Sequence, residues 1–109
     1  PFQVTVNPND TTDIVVQMDT IFVGLPEYNN HPNPFVGLTN FHVQIPDEMN
    51  FSTAYLSIYN ISGKLVDQIE ILSSDYAVQW SGSNYEPGVY LYNLVVDNKP
   101  FATKKMIIR

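Results

Sequence analysis

The chain has 109 residues, 44% hydrophobic and 13% aromatic, enough for one packed domain and too few for two full ones. Eleven acidic residues against five basic leave a net charge of -6, which argues against nucleic-acid and anionic-membrane partners. The absence of cysteine removes disulfides, thiolate metal sites and cysteine nucleophiles.

The first strand candidates are Phe2–Asn7 and Ile14–Val23, separated by a turn at Asn7-Pro8-Asn9-Asp10. No basic segment followed by an apolar one opens the chain, so an export signal is expected upstream or of another kind. The start at Pro1, directly in a strand pattern, reads as a fragment from the end of a larger protein. Three prolines within Pro26–Pro34 predict an extended, irregular linker or long crossover, because proline fixes its own φ and restricts the residue before it.

From Phe41 the period is two. Phe41, Val43 and Ile45 alternate with His42 and Gln44, and Leu56 and Ile58 alternate with Ser57 and Tyr59. Asn60-Ile61-Ser62-Gly63 predicts a hairpin, with Gly63 supplying a positive φ. Leu65, Ile69 and Ile71 are expected to share the next buried face, with Asp67 intruding on it. Tyr76–Trp80 follows, and Trp80 reads as core. Gly88–Val96 is apolar on both faces and so predicts a central strand. Tyr90, after the Pro87-Gly88 corner, has the placement of the tyrosine corner of immunoglobulin-like sandwiches. Asp97-Asn98-Lys99 predicts a second hairpin into the last candidate, Phe101–Ile108. No helix is predicted. The pattern describes an all-β, immunoglobulin-like antiparallel β-sandwich of about seven to eight short strands.

Reactive constellations are scarce. His31 and His42 read as surface histidines without metal spacing. No Gly-x-Ser-x-Gly elbow accompanies the serines, so no enzyme is expected. Asn7, Asn9, Asp10 and Asp13 lack the Gly and the terminal Glu of a calcium loop and read as a solvated turn. No metal or cofactor is expected. Asn9-Asp10-Thr11, Asn50-Phe51-Ser52 and Asn60-Ile61-Ser62 match the N-glycosylation triplet, which matters only in a eukaryotic secretory host. Tyr76, Trp80, Tyr85, Tyr90 and Tyr92 are the aromatics a sugar-stacking platform would need, although core packing accounts for Tyr90 and Tyr92 without a ligand. Charge is the uneven property. No base precedes Lys64, and Lys99, Lys104, Lys105 and Arg109 fall in the last eleven residues.

Five phrases occur in order: Pro32-Asn33-Pro34-Phe35, followed by the alternating strand Asn40–Ile45; Leu56–Val66, with Asn60-Ile61-Ser62-Gly63-Lys64-Leu65 within it; Trp80-Ser81-Gly82-Ser83-Asn84; Gly88-Val89-Tyr90-Leu91-Tyr92-Asn93-Leu94; and Thr103-Lys104-Lys105-Met106-Ile107-Ile108-Arg109. Over residues 31 to 109 the chain resembles the type A C-terminal sorting domain of the Bacteroidetes type IX (Por) secretion system. The resemblance implies a sandwich appended to a cargo protein, with residues 1–30 a lead-in: the end of a preceding domain, a linker or extra strands. It implies passage through the periplasm and the outer-membrane translocon to the cell surface or medium, with a shuttle protein and a sortase-like peptidase as partners. It also implies removal of the domain at the surface. Its sorting-motif positions are Pro32, Asn33, Pro34, Gly63, Lys64, Leu65, Gly88, Tyr90, Lys104, Lys105, Met106, Ile107 and Arg109. Asp19-Thr20-Ile21 resembles the Bacteroidetes O-glycosylation site, with Thr20 as the acceptor.

Alternation places Leu56, Ile58, Leu65, Tyr90 and Leu94 in the core and leaves the last strand for recognition. Thr103, Lys105, Ile107 and Arg109 are expected on one face, with Lys104, Met106 and Ile108 on the other. An exposed edge there would permit docking by strand addition or self-association, with the lysines otherwise guarding the edge against aggregation. The alternatives are a structural or adhesive immunoglobulin-like module, or a carbohydrate-binding module using exposed tyrosines.

Overall fold

The computed structural model describes residues 24–109. The strands expected at Phe2–Asn7 and Ile14–Val23 lie outside the described residues, as do the Asn7–Asp13 turn and Thr20. The described strands are β1 Glu27–His31, β2 Leu38–Gln44, β3 Ala54–Asn60, β4 Leu65–Glu70, β5 Asp75–Ser81, β6 Gly88–Val96, β7 Lys99–Pro100 and β8 Lys104–Ile108. A 3₁₀ turn, Asp47–Met49, follows β2.

The strands form two antiparallel sheets. One has the order β1-β2-β5. The other has the order β4-β3-β6, with β7 and β8 in line, one after the other, along the far edge of β6. β6 is thus central, as its two-sided apolarity requires. The turn into β7 has Asp97 at φ 48 and Asn98 at φ 68, the pair of positive values that matches hairpin twist. The hydroxyl of Tyr90 donates to the carbonyl of Glu86 at 2.7 Å, four residues upstream, completing the tyrosine corner. The architecture is an immunoglobulin-like β-sandwich.

The inner faces meet in an aromatic core. Phe41 and Val43 are fully enclosed, as are Leu56, Ile58, Leu94 and Met106 from the opposite sheet. Phe41 packs edge-on against Tyr92 at 5.2 Å and Trp80 at 6.1 Å, and Phe35 against Trp80 at 6.2 Å. These are the geometries that aromatic quadrupoles favour. The Trp80 indole N–H donates to Asp67 Oδ2 at 2.7 Å, which gives the intruding carboxylate a purpose and ties β5 to β4.

Two expectations are corrected. Leu65 is not core: it is 47% exposed. Ile58 faces Asp67 and Tyr59 faces Leu65, so Val66 is an extra residue in the ladder. One bulged residue moves the side chains beyond it to the other face, so Val66 packs on the core and Leu65 turns out. The segment Pro26–Pro34 is not an irregular linker, because it contains β1. Pro26 precedes that strand and Pro32 follows it, where a missing N–H costs no ladder bond. Its buried face consists of Tyr28 and Asn30, and the Asn30 amide donates to Thr39 Oγ1 at 3.2 Å. With one apolar side chain in five residues, no period of two was visible. β1 lies on both sides of the division after residue 30.

Candidate recognition surface

β8 is built on β6, with pairs running from Gly88 opposite Ile108 to Tyr92 opposite Lys104. Met106 and Ile108 enter the core, while Lys105 is exposed and Ile107 half-buried. Lys104 shares the side of Met106 and Ile108 but remains solvent-exposed. Its Nζ donates to the Tyr28 carbonyl at 2.8 Å and stands 4.8 Å from the Tyr28 ring centroid. The Tyr28 hydroxyl in turn donates to the Ala102 carbonyl. Lys104 therefore latches the last strand to β1 across the sandwich, by a charge-assisted bond and a cation–π contact.

The outer edge of β8 is occupied, which corrects the expectation of an exposed edge. The Asn33 side chain acts there as a substitute peptide. Ile107 N–H donates to its Oδ1 at 3.0 Å, and its Nδ2 donates to the Lys105 carbonyl at 3.0 Å. The main chain takes over at Phe35, whose N–H donates to the Ile107 carbonyl at 3.0 Å, while Arg109 N–H donates to the Phe35 carbonyl at 2.9 Å. Pro32 and Pro34 have no N–H to offer a strand, so the amide between them does the pairing. Gly82 fits beneath this strap. A Cβ there would lie 3.1 Å from both Phe35 Cε2 and Ile108 Cδ1. In the sequence, the Trp80-Ser81-Gly82 phrase is the only signal of this contact.

On the outward side, Val89 stands opposite Ile107 and Leu91 opposite Lys105. Tyr59 faces Leu91 and Tyr55 faces Val95, all half-buried. Ser57 and Asn93, opposite each other, are 2% and 9% exposed, so this face is packed more densely than a plain solvent face. Among the described residues, no carboxylate comes within ion-pair distance of Lys105 or Arg109. In the other sheet, His42 Nε2 and Asp75 Oδ1 lie 2.7 Å apart, exposed across β2 and β5. His42 thus has a carboxylate partner that the sequence did not reveal.

The strap and last-strand motifs are brought together, and Gly88 and Tyr90 join them through the β6–β8 ladder. Gly63, Lys64 and Leu65 are not: β3 and β6 separate them from β8. They belong to the β3–β4 turn, where Gly63 has φ +91. The Asn60 Oδ1 accepts from Ser62 N–H, Ser62 Oγ–H and Lys64 N–H. The Asn60-Ile61-Ser62 triplet is therefore turn chemistry.

The aromatics do not form a sugar platform. Trp80, Tyr90 and Tyr92 are buried, and Tyr85 stacks on Trp80 at 5.3 Å and 17°. Burial pushes the phenols of Tyr28 and Tyr92 above their ordinary pKa. It does the same to Tyr85, reinforced by the Asp67 charge. Among the described residues no three His, Asp or Glu side chains converge as metal ligands, and no helix is long and apolar enough to cross a membrane.

Fold and surface define a small β-sandwich whose distinguishing chemistry is a latched, edge-sealed, basic last strand. The chain belongs to the family of secretion system C-terminal sorting domains, whose sequence profile matches residues 29–109, and it carries a type IX sorting signal. Sorting domains of this family are not themselves catalytic. The fold is similar to part of the crystal structure of dimeric latent PorU from Porphyromonas gingivalis, with a TM-score of 0.66 at 20% identity. That match covers 76% of this chain and 9% of PorU. No curated protein sequence matches the chain.

Proposed function

We propose that this domain carries an attached cargo from the periplasm through the outer-membrane translocon of the type IX system, engaging a shuttle protein on the way. A sortase-like peptidase then removes it at the cell surface. In this reading the sorting domain is the β1–β8 sandwich from Glu27, and the preceding residues lead in from the cargo. The recognised elements are the strap and the last strand; Gly63 and Tyr90 serve the fold. The observation that carries the reading is the family match over residues 29–109, which takes in both the strap and β8.

The test fuses the full chain behind a reporter bearing an inner-membrane export signal. The fusion is expressed in a type IX-competent bacterium and in a strain lacking the translocon. The reporter is expected on the surface or in the medium of the first and in the periplasm of the second. Equal distribution in both strains refutes the reading.

A further inference from the structure

We infer that the outward side of β8, formed by Lys105, Ile107 and Arg109 beside Val89 and Leu91 of β6, docks side chain to side chain on an acidic patch of a protein in the export machinery. The patch carries two carboxylates astride an apolar ridge. The inference rests on the sorting function and specifies its contact surface.

Three observations lead to it. The edge of β8 is sealed over Lys105–Arg109 by Asn33 and Phe35, so an added strand finds no free ladder there. Both lysines are exposed, but Lys104 lies on the inward side and is engaged by Tyr28, so Lys105 is the one on the outward side. The outward side then offers two bases without carboxylate partners among the described residues, flanking the half-buried Val89–Ile107 pair. Lys105 and Arg109 are four positions apart on an extended chain, so the matching carboxylates stand about 13 Å apart.

Charge selects a protein over a lipid surface. The chain as a whole carries -6, so a bilayer of anionic lipid repels most of it, whereas a local pair of carboxylates meets only the basic stripe. Such complementarity chiefly sets orientation and encounter rate, as selection by a translocation machine requires.

The reporter fusion supplies the test. Lys105→Glu/Arg109→Glu is expected to lower export at least about tenfold, with an unchanged melting temperature. The charge-keeping swap Lys105→Arg/Arg109→Lys and the remote reversal Lys64→Glu are expected to export as the parent does. A smaller loss from the double reversal, or an equal loss from Lys64→Glu, overturns the inference. Should the reversal lower the melting temperature, Lys105→Gln/Arg109→Gln takes its place under the same threshold. Flotation of the purified chain with anionic phospholipid vesicles covers the other source of negative charge. Binding that the double reversal abolishes assigns the stripe to lipid and overturns the inference. If the parent fusion itself stays in the periplasm, the sorting function fails; if it is exported and the reversal is too, only this surface fails.

Discussion

Asn33→Ala removes the substitute peptide from the edge of β8. Two hydrogen bonds are lost, each 3.0 Å long and solvent-exposed. Exposed bonds fall in the lower part of the net range, about 0.5–1 kcal/mol each, because water replaces the lost partner. The sum is about 1–2 kcal/mol, and a domain of this size loses roughly 4–8 °C of melting temperature per kcal/mol. Calorimetry is therefore expected to show a fall of roughly 5–15 °C. Amide exchange gives the sharper readout. Ile107 N–H points at Asn33 and should become fast, while Met106 and Ile108, which alternate toward β6, should remain protected. Part of the edge is now open, so self-association on gel filtration should rise with concentration. An unchanged melting temperature together with slow exchange at Ile107 would refute the idea that Asn33 seals the strand.

Lys104→Met keeps the aliphatic stem but loses the bond to the Tyr28 carbonyl and the cation–π contact, so a loss of about 1 kcal/mol is expected in chemical denaturation. If the variant is as stable as the parent, Lys104 is not a latch. Alkaline pH should weaken the fold through Tyr28, Tyr85 and Tyr92. Burial raises their folded pKa above the ordinary value of 10.0, so the unfolded chain releases protons that the folded chain retains. Their contribution is present below about pH 10 and is lost as pH rises through and beyond it. Denaturation midpoints compared across that range, alongside phenolate absorbance, test this; a midpoint that holds constant while the phenols ionise would contradict it.

Where local chemistry decides the outcome, the sequence was sufficient by itself. Alternation located β2, β3, β5 and β6 and the buried faces of Phe41, Val43, Leu56, Ile58 and Leu94, because a strand's side chains repeat every two residues whatever surrounds them. Gly63 and the Asp97-Asn98 pair marked their turns, because a positive φ restricts which residues fit. The ordered phrases from Pro32 to Arg109 identified the family. What the sequence left undecided depends on partners distant along the chain. β1 carries little apolar signal of its own and exists because β2 offers it a ladder and Thr39 takes the buried Asn30 amide. Alternation points Leu65 into the core, and the bulge turns it out by adding one residue that alternation cannot count. Alternation puts the neighbouring Lys104 and Lys105 on opposite faces, but only the tertiary structure decides which of them the fold engages. Both remain solvent-exposed, but Tyr28, 76 residues away, engages the Lys104 ammonium and leaves Lys105 free of it. The same separation lets Asn33 seal an edge that the sequence alone presented as open.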